Sequence, residues 1–254
     1  MLRLRQIALV ARELGPVVED LRAVFGLEVA YRDPGVASFG LENAVLPVGS
    51  QFVEVVAPVR EGTAGGRYLE RRGGDGGYMV ILQCDDHAAR KAKVAELGIR
   101  KVLEHDAPDY SIMQLHPQDT GGSFLEVDVQ VGGESLDGPW KPAWPAWQAA
   151  RQTGRVRGIA AAEIQSPDPG GLAERWSALL ERPVSGDWSI RLDNAWLRFV
   201  EATDGRGEGL GGVDLLSADR AAVVETAAAR GLLGTDGVVL LGGVRFRLVG
   251  VGPG

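Results

Sequence analysis

The feature that most constrains this chain is a recurring Phe-x-Glu tripeptide. It stands at Phe52-Val53-Glu54, Phe124-Leu125-Glu126 and Phe199-Val200-Glu201, with a degenerate fourth copy at Phe246-Arg247-Leu248. Each copy closes a string of elements that opens with a β-type run, at residues 6–10, 78–84, 159–164 and 213–216. Gln6 and Glu54 are 48 residues apart, and so are Tyr78 and Glu126. Units that repeat in this way bury their apolar faces against one another, so the repeat sets the architecture before any single element is considered. The last two units are shorter and match less closely.

Each opening run leads into a helix. In residues 17–25, Val17, Leu21, Val24 and Phe25 recur at helical spacing, and Gly26 supplies the left-handed stop. Residues 87–97 follow Asp86 as N-cap and end before Gly98, and residues 172–180 and 220–230 repeat the arrangement behind Asp168 or Gly170 and Asp219. Short β-type runs separated by turn residues come after each helix, as at 27–31, 38–47 and 51–56. The expectation is an α+β chain of four tandem βαβββ modules, paired as residues 1–131 and 158–254.

Between the pairs, residues 132–157 carry Gly132-Gly133, Pro139-Trp140, Pro142, Trp144-Pro145 and Trp147, with no sustained period. The prolines make a stiff, non-helical linker. Half of the six tryptophans fall here, and exposed indoles would leave much apolar area unburied. The linker is therefore expected to pack on the domains and fill the seam between the halves; the alternative is a lid over a substrate.

The opening strand Gln6-Ile7-Ala8-Leu9-Val10, the Phe25-Gly26-Leu27 after the first helix, and the stretch from His116-Pro117 to Phe124-Leu125-Glu126 carry a recognisable pattern. The chain resembles the vicinal oxygen chelate superfamily, which includes glyoxalases, bleomycin-resistance proteins, methylmalonyl-CoA epimerases and extradiol dioxygenases. The last stretch is similar to the final hairpin of the epimerases. The resemblance implies that module pairs curl into two half-open β-barrel domains with helices outside and a site on the concave face. It also implies metal ligands on the first and last strands of each module, where this chain has Gln6, Glu54, Tyr78 and Glu126. The second pair has Ala161 or Ala162 and Gly211 or Gly212 at the opening positions, keeps Glu201, and ends on Leu248. That half lacks the ligand set an extradiol dioxygenase would need, so such an activity is disfavoured.

Strand alternation puts Phe52, Glu54 and Val56 on one face and Phe124, Glu126 and Asp128 on one face. Two ionised carboxylates buried without partners would cost several kcal/mol each, so a cation, hydrogen-bond donors or a shared proton must answer them. A cation would make Gln6, Glu54 and Glu126 an oxygen-rich site suited to magnesium, manganese or iron. The metal-free answer has Gln6 and Tyr78 donating to Glu54 and Glu126, or the two acids sharing a proton. His116 is the candidate general acid or base beside Glu54 and Glu126. Gln6, Tyr78, Tyr110 and Trp140 are the candidate substrate contacts, while His87 and His105 read as exposed surface residues and Cys84 as a core residue.

The functional expectation is a glyoxalase-like small-molecule enzyme of lyase or isomerase type, abstracting a proton next to a carbonyl, with or without a metal. The alternative is a non-catalytic protein that sequesters a small molecule, as bleomycin-resistance proteins do. A third reading makes the second half a structural partner shielding the first barrel's open edge. A net charge of −7 with no basic run argues against nucleic acid. There is no phosphate-binding glycine loop for a nucleotide cofactor. No apolar run reaches the length of a membrane span and no secretory leader is evident, so the expected location is the cytoplasm. A homodimer is left open.

Overall fold

The structure is a computed structural model, described for residues 1–234 and 236–250. The first module runs β1 (Leu2–Val10), α1 (Leu14–Phe25), β2 (Leu41–Val48) and β3 (Gln51–Pro58). A further helix, α2 (Ala64–Arg72), joins it to the second module: β4 (Gly76–Cys84), α3 (His87–Glu96), β5 (Lys101–Asp106), β6 (Tyr110–Leu115), the single turn α4 (Pro117–Thr120) and β7 (Phe124–Gln130). The third module is β8 (Val156–Ser166), α5 (Pro169–Leu180), β9 (Ser189–Arg191) and β10 (Trp196–Glu201). The fourth is β11 (Gly209–Ser217), α6 (Arg220–Ala229), β12 (Val239–Leu241) and β13 (Val244–Val249).

The strands form two open mixed sheets, ordered β2-β3-β1-β4-β7-β6-β5 and β12-β13-β11-β8-β10-β9. In both, the opening strands of the two modules pair antiparallel at the centre, and each runs parallel to the closing strand of its own module. The pseudo-twofold relation thus comes directly from the sequence repeat.

Alternation divides each sheet into two faces. Leu4, Ile7, Leu9, Val53, Val55, Val80, Leu82, Leu125 and Val127 of the first sheet join Ile159, Ala162, Ile164, Leu197, Phe199, Val213, Leu215 and Phe246 of the second in one continuous core. The convex faces therefore pack back to back, with the four module helices at the seam. Phe25 of α1 meets Phe246 of β13 with ring centroids 5.1 Å apart, and Arg230 pairs with Asp20 at 2.7 Å. The second half covers the first sheet's convex face and, among the described residues, forms no strand pairing with its edge strands β2 and β5.

Several local expectations change. Residues 27–31 contribute only a bridge from Tyr31 to Val45, and residues 34–39 form a 3-10 turn rather than the start of a strand. Helix α2 went unforeseen because its two glycines and three arginines leave little apolar period; Thr63 caps it by accepting the Gly66 N–H. His87 is mostly buried, with Nε2 3.0 Å from the Val127 carbonyl, and burial lowers its pKa. No helix among the described residues is long and apolar enough to cross a membrane.

Candidate functional site

The concave face of the first sheet holds the residues that alternation turns away from the shared core. Glu54 sits there on β3, 9% exposed, with both oxygens occupied. Asn43 Nδ2 donates to Oε1 at 2.6 Å and Gln6 Nε2 donates to Oε2 at 2.8 Å. Burial pushes the Glu54 carboxyl up, against the pull of these two amide donors. Gln6 Oε1 accepts the indole N–H of Trp140 at 2.7 Å. An indole can only donate, so the Gln6 amide must turn its NH2 toward Glu54.

Glu126 and Asp128 stand two residues apart on β7, their carboxyls in hydrogen-bond contact. Asp128 is fully buried, and Tyr110 donates to its Oδ2 at 2.5 Å. Its Oδ1 has no hydrogen bond of ordinary geometry among the described residues, and the carboxyl also faces the Met113 backbone N–H and the Glu126 carboxyl. Burial first, then the neighbouring Asp128 charge, raises Glu126 well above the usual carboxylate range. Burial also raises Asp128, to about 7, although the Tyr110 hydroxyl and Glu126 act against it. Burial thus pushes both carboxyls toward their protonated forms, and being in contact they titrate as a unit. Gln114 Nε2 donates to Glu126 Oε2 at 3.3 Å.

Tyr78 is not the partner of Glu126. It occupies a bulge where the β1–β4 register slips between Ala8↔Met79 and Leu9↔Gly77. Its ring packs against Tyr68 and Phe124, and burial raises its phenol to about 12. Parallel pairing places Gln6 beside Phe52 and Met79 beside Phe124, so Met79 is the counterpart of Gln6. The equal 48-residue spacings absorbed this extra residue unnoticed. His116 caps the α4 turn, accepting the Gln118 N–H at Nδ1, with no hydrogen bond to the acids. Tyr110 does reach the site, at the start of β6.

The tryptophans of the linker fill this concave face, while its end lies at the seam, where Arg155 donates to the Val24 carbonyl at 3.0 Å and its own carbonyl accepts from the Ala218 N–H at 2.8 Å. Trp140 and Trp147 are buried to within 1% of completely and box the Phe52 ring, while Trp144 stacks on Tyr31 at the surface. Their anchor is Arg5, a residue without a sequence cue. Its guanidinium lies 5.2 to 5.7 Å from the Phe52, Trp140 and Trp147 rings. It also donates to the carbonyls of Leu136 at 2.9 Å and Gly138 at 3.1 Å. Desolvation, with Arg3 nearby, lowers it to about 9. Asn43 and Gln114 were likewise missed, because an amide in a strand carries no motif.

The donor set does not fit a divalent cation. NH2 groups of Gln6, Asn43 and Gln114 face the oxygens of Glu54 and Glu126, and the Gln6 oxygen is turned away to Trp140. A cation would meet the positive ends of three amides. Among the described residues, no three His, Cys, Asp or Glu side chains converge on one point.

The family described as glyoxalase-like domain matches residues 7–180. No curated protein matches the chain. A Streptomyces coelicolor methylmalonyl-CoA epimerase in complex with 2-nitronate-propionyl-CoA is 24% identical over 50% of this chain and 96% of that one, with a TM-score of 0.45. The Mycobacterium tuberculosis methylmalonyl-CoA epimerase is 20% identical over 50% and 87%, with a TM-score of 0.44. A hypothetical protein from Staphylococcus aureus covers 99% of this chain and 100% of its own at 13% identity, with a TM-score of 0.65, and shares the fold of both halves.

Proposed function

The chain belongs to the glyoxalase-like domain family of the vicinal oxygen chelate superfamily, and from that premise we propose that its first sheet binds a small carbonyl compound and moves a proton on it without a metal. The reaction type is that of an isomerase or lyase acting at a carbon next to the carbonyl. The observation that carries this reading is the contact of two buried carboxyls, Glu126 and Asp128, which burial pushes toward protonation.

A pair with one proton offers an acid and a base in one place. Glu126 is the member that meets the substrate: passing its proton to Asp128 leaves Glu126 as the base that takes the proton from the substrate carbon, and the same proton can later be returned. Tyr110 fixes Asp128 from below and Gln114 steadies Glu126. Ile112, Gln114 and Phe124, all partly exposed, line the approach. Glu126 is the catalytic residue and Asp128 acts through it, while Glu54 holds the polar floor with Gln6 and Asn43.

The test is solvent-deuterium incorporation into a panel of small oxo acids, hydroxyketones and thioesters, with wild type beside Glu126→Gln. The expected result is incorporation by the wild type, lowered at least about 100-fold in the variant, the scale of a lost acid/base group. Equal incorporation by both proteins would remove the pair from the mechanism.

One observation favours the alternative of a sequestering protein. Trp140 and Trp147 already fill much of the concave face, and both Glu54 oxygens are occupied. Such a protein would bind a member of the panel and return it without deuterium.

A further inference from the structure

The second sheet repeats the site with its charges exchanged. On β8 and β10, Ala161 pairs with Trp196 and Glu163 with Arg198, as Gln6 pairs with Phe52 and Ala8 with Glu54. On β11 and β13, Gly212 pairs with Arg245 and Asp214 with Arg247, as Met79 pairs with Phe124 and Ile81 with Glu126. Arg198 and Arg247 thus stand where the first sheet has Glu54 and Glu126. The repeated Phe-x-Glu is not equivalent here: Phe199 turns to the shared core, and Glu201 ends exposed at the close of β10.

Glu163 and Asp214 lie between the arginines. Arg198 reaches Glu163 at 2.6 Å and Asp214 at 3.1 Å, Arg245 reaches Glu163 at 2.8 Å, and Arg247 grips Asp214 through Nε and Nη2 at 2.9 and 2.8 Å. Asp204 takes Arg245 Nη1 at 3.3 Å. These contacts leave Arg198 Nη1 without a hydrogen-bond acceptor among the described residues, and Arg247 Nη1 with only the Glu163 carboxylate, 4.0 Å away. Arg191 of β9 lies 5.0 Å from the Trp196 ring and has no ion pair among the described residues. Within the ion-pair cluster three guanidiniums balance three carboxylates, and Arg191, paired with Trp196 on the neighbouring strand, adds a further positive charge to this side of the sheet.

No indoles close this face as Trp140 and Trp147 close the first. The side chains of Arg198, Arg245 and Arg247 remain 23, 28 and 42% exposed. Forks of N–H donors held in place by ion pairs match the planar oxygens of carboxylate or phosphate, and their prior fixation lowers the ordering cost of binding.

We propose that the concave face of the second sheet is a separate binding site for a small oxyanion, a carboxylate or phosphate monoester, held by Arg198 Nη1, Arg247 Nη1 and Arg191 beside Trp196. The excess charge selects an anion, and the Trp196 ring marks the ligand's apolar side. The site is independent of the acid pair on the first sheet.

The experiment follows the Trp196 indole N–H resonance, identified by its loss in Trp196→Phe, while full-length protein is titrated with succinate and, separately, inorganic phosphate. A saturable shift with either probe is expected, and the probe that binds more tightly tells carboxylate from phosphate. Arg247→Gln and Arg191→Gln should each weaken binding about tenfold, the scale of one charge-assisted contact, whereas Glu126→Gln should leave it unchanged. Arg191 has no ion pair to lose, so its variant remains informative if Arg247→Gln does not fold. Absence of a saturable shift at millimolar probe, or equal binding by the Arg191 variant, overturns the proposal.

Discussion

Trp140 Nε1 donates to Gln6 Oε1 at 2.7 Å, and that bond decides which end of the Gln6 amide meets Glu54. The linker thereby sets the polarity of the site floor from a position 134 residues along the chain.

Trp140→Phe should keep the packing on Phe52 and Tyr110 but leave the Gln6 oxygen without its donor. A buried polar atom left unpaired costs roughly 1–3 kcal/mol, and urea unfolding should show a loss of that size. A change within error would mean that water or another donor replaces the indole.

The acid pair makes stability fall as pH rises. Glu126 and Asp128 have raised pKa values in the folded state, so the folded protein holds more protons than the unfolded chain between the ordinary carboxylate range near about 4 and the folded values. Their favourable contribution is complete below that window and is lost as pH climbs through about 7, the Asp128 value. Urea midpoints compared from about pH 5 to about pH 8 should decline more steeply for wild type than for Glu126→Gln. Parallel curves would contradict the raised values.

Tyr110→Phe removes the hydroxyl that steadies ionised Asp128. Without it the Asp128 carboxyl should titrate above its present value of about 7. Carboxyl NMR chemical shifts followed against pH would show the displacement, and an unmoved titration would assign that proton elsewhere.

Gly77 marks a close approach of the two halves. A Cβ there would lie 2.3 Å from the Leu210 carbonyl oxygen and 2.6 Å from its side chain. Gly77→Ala should force β4 and β11 apart and destabilise by at least the ~1–3 kcal/mol typical of an overpacked core. Gly15→Ala, with open space around the added carbon, is the matched control and should be neutral or slightly stabilising. Similar denaturation midpoints for the two variants would refute a rigid seam.

Magnesium or manganese added to metal-stripped protein should leave the thermal midpoint unchanged. A native cation at 100 times its Kd would contribute about 2.7 kcal/mol, a shift that calorimetry resolves easily. Such a rise, abolished in Glu54→Gln, would show that the Gln6, Asn43 and Gln114 amides can turn to admit a metal.

The amino-acid sequence by itself determined the modules. Periods of 3.6 and 2, the Asp and Gly caps, and the Phe-x-Glu repeats are local, so four of the helices, the central strands and the face carrying Glu54, Glu126 and Asp128 could be read directly. Tertiary structure decided the rest, because it depends on contacts between distant segments. The Tyr78 bulge arises only when β4 pairs with β1, and it moves Met79 into the place the spacing gave to tyrosine. Arg5 and the indoles of Trp140 and Trp147 meet only after the linker folds back over β1 and β3. The raised pKa values of Glu126 and Asp128 follow from their common burial. Pattern fixes which face a side chain takes; solvation and cross-strand register fix what it meets there, and that encounter sets the chemistry.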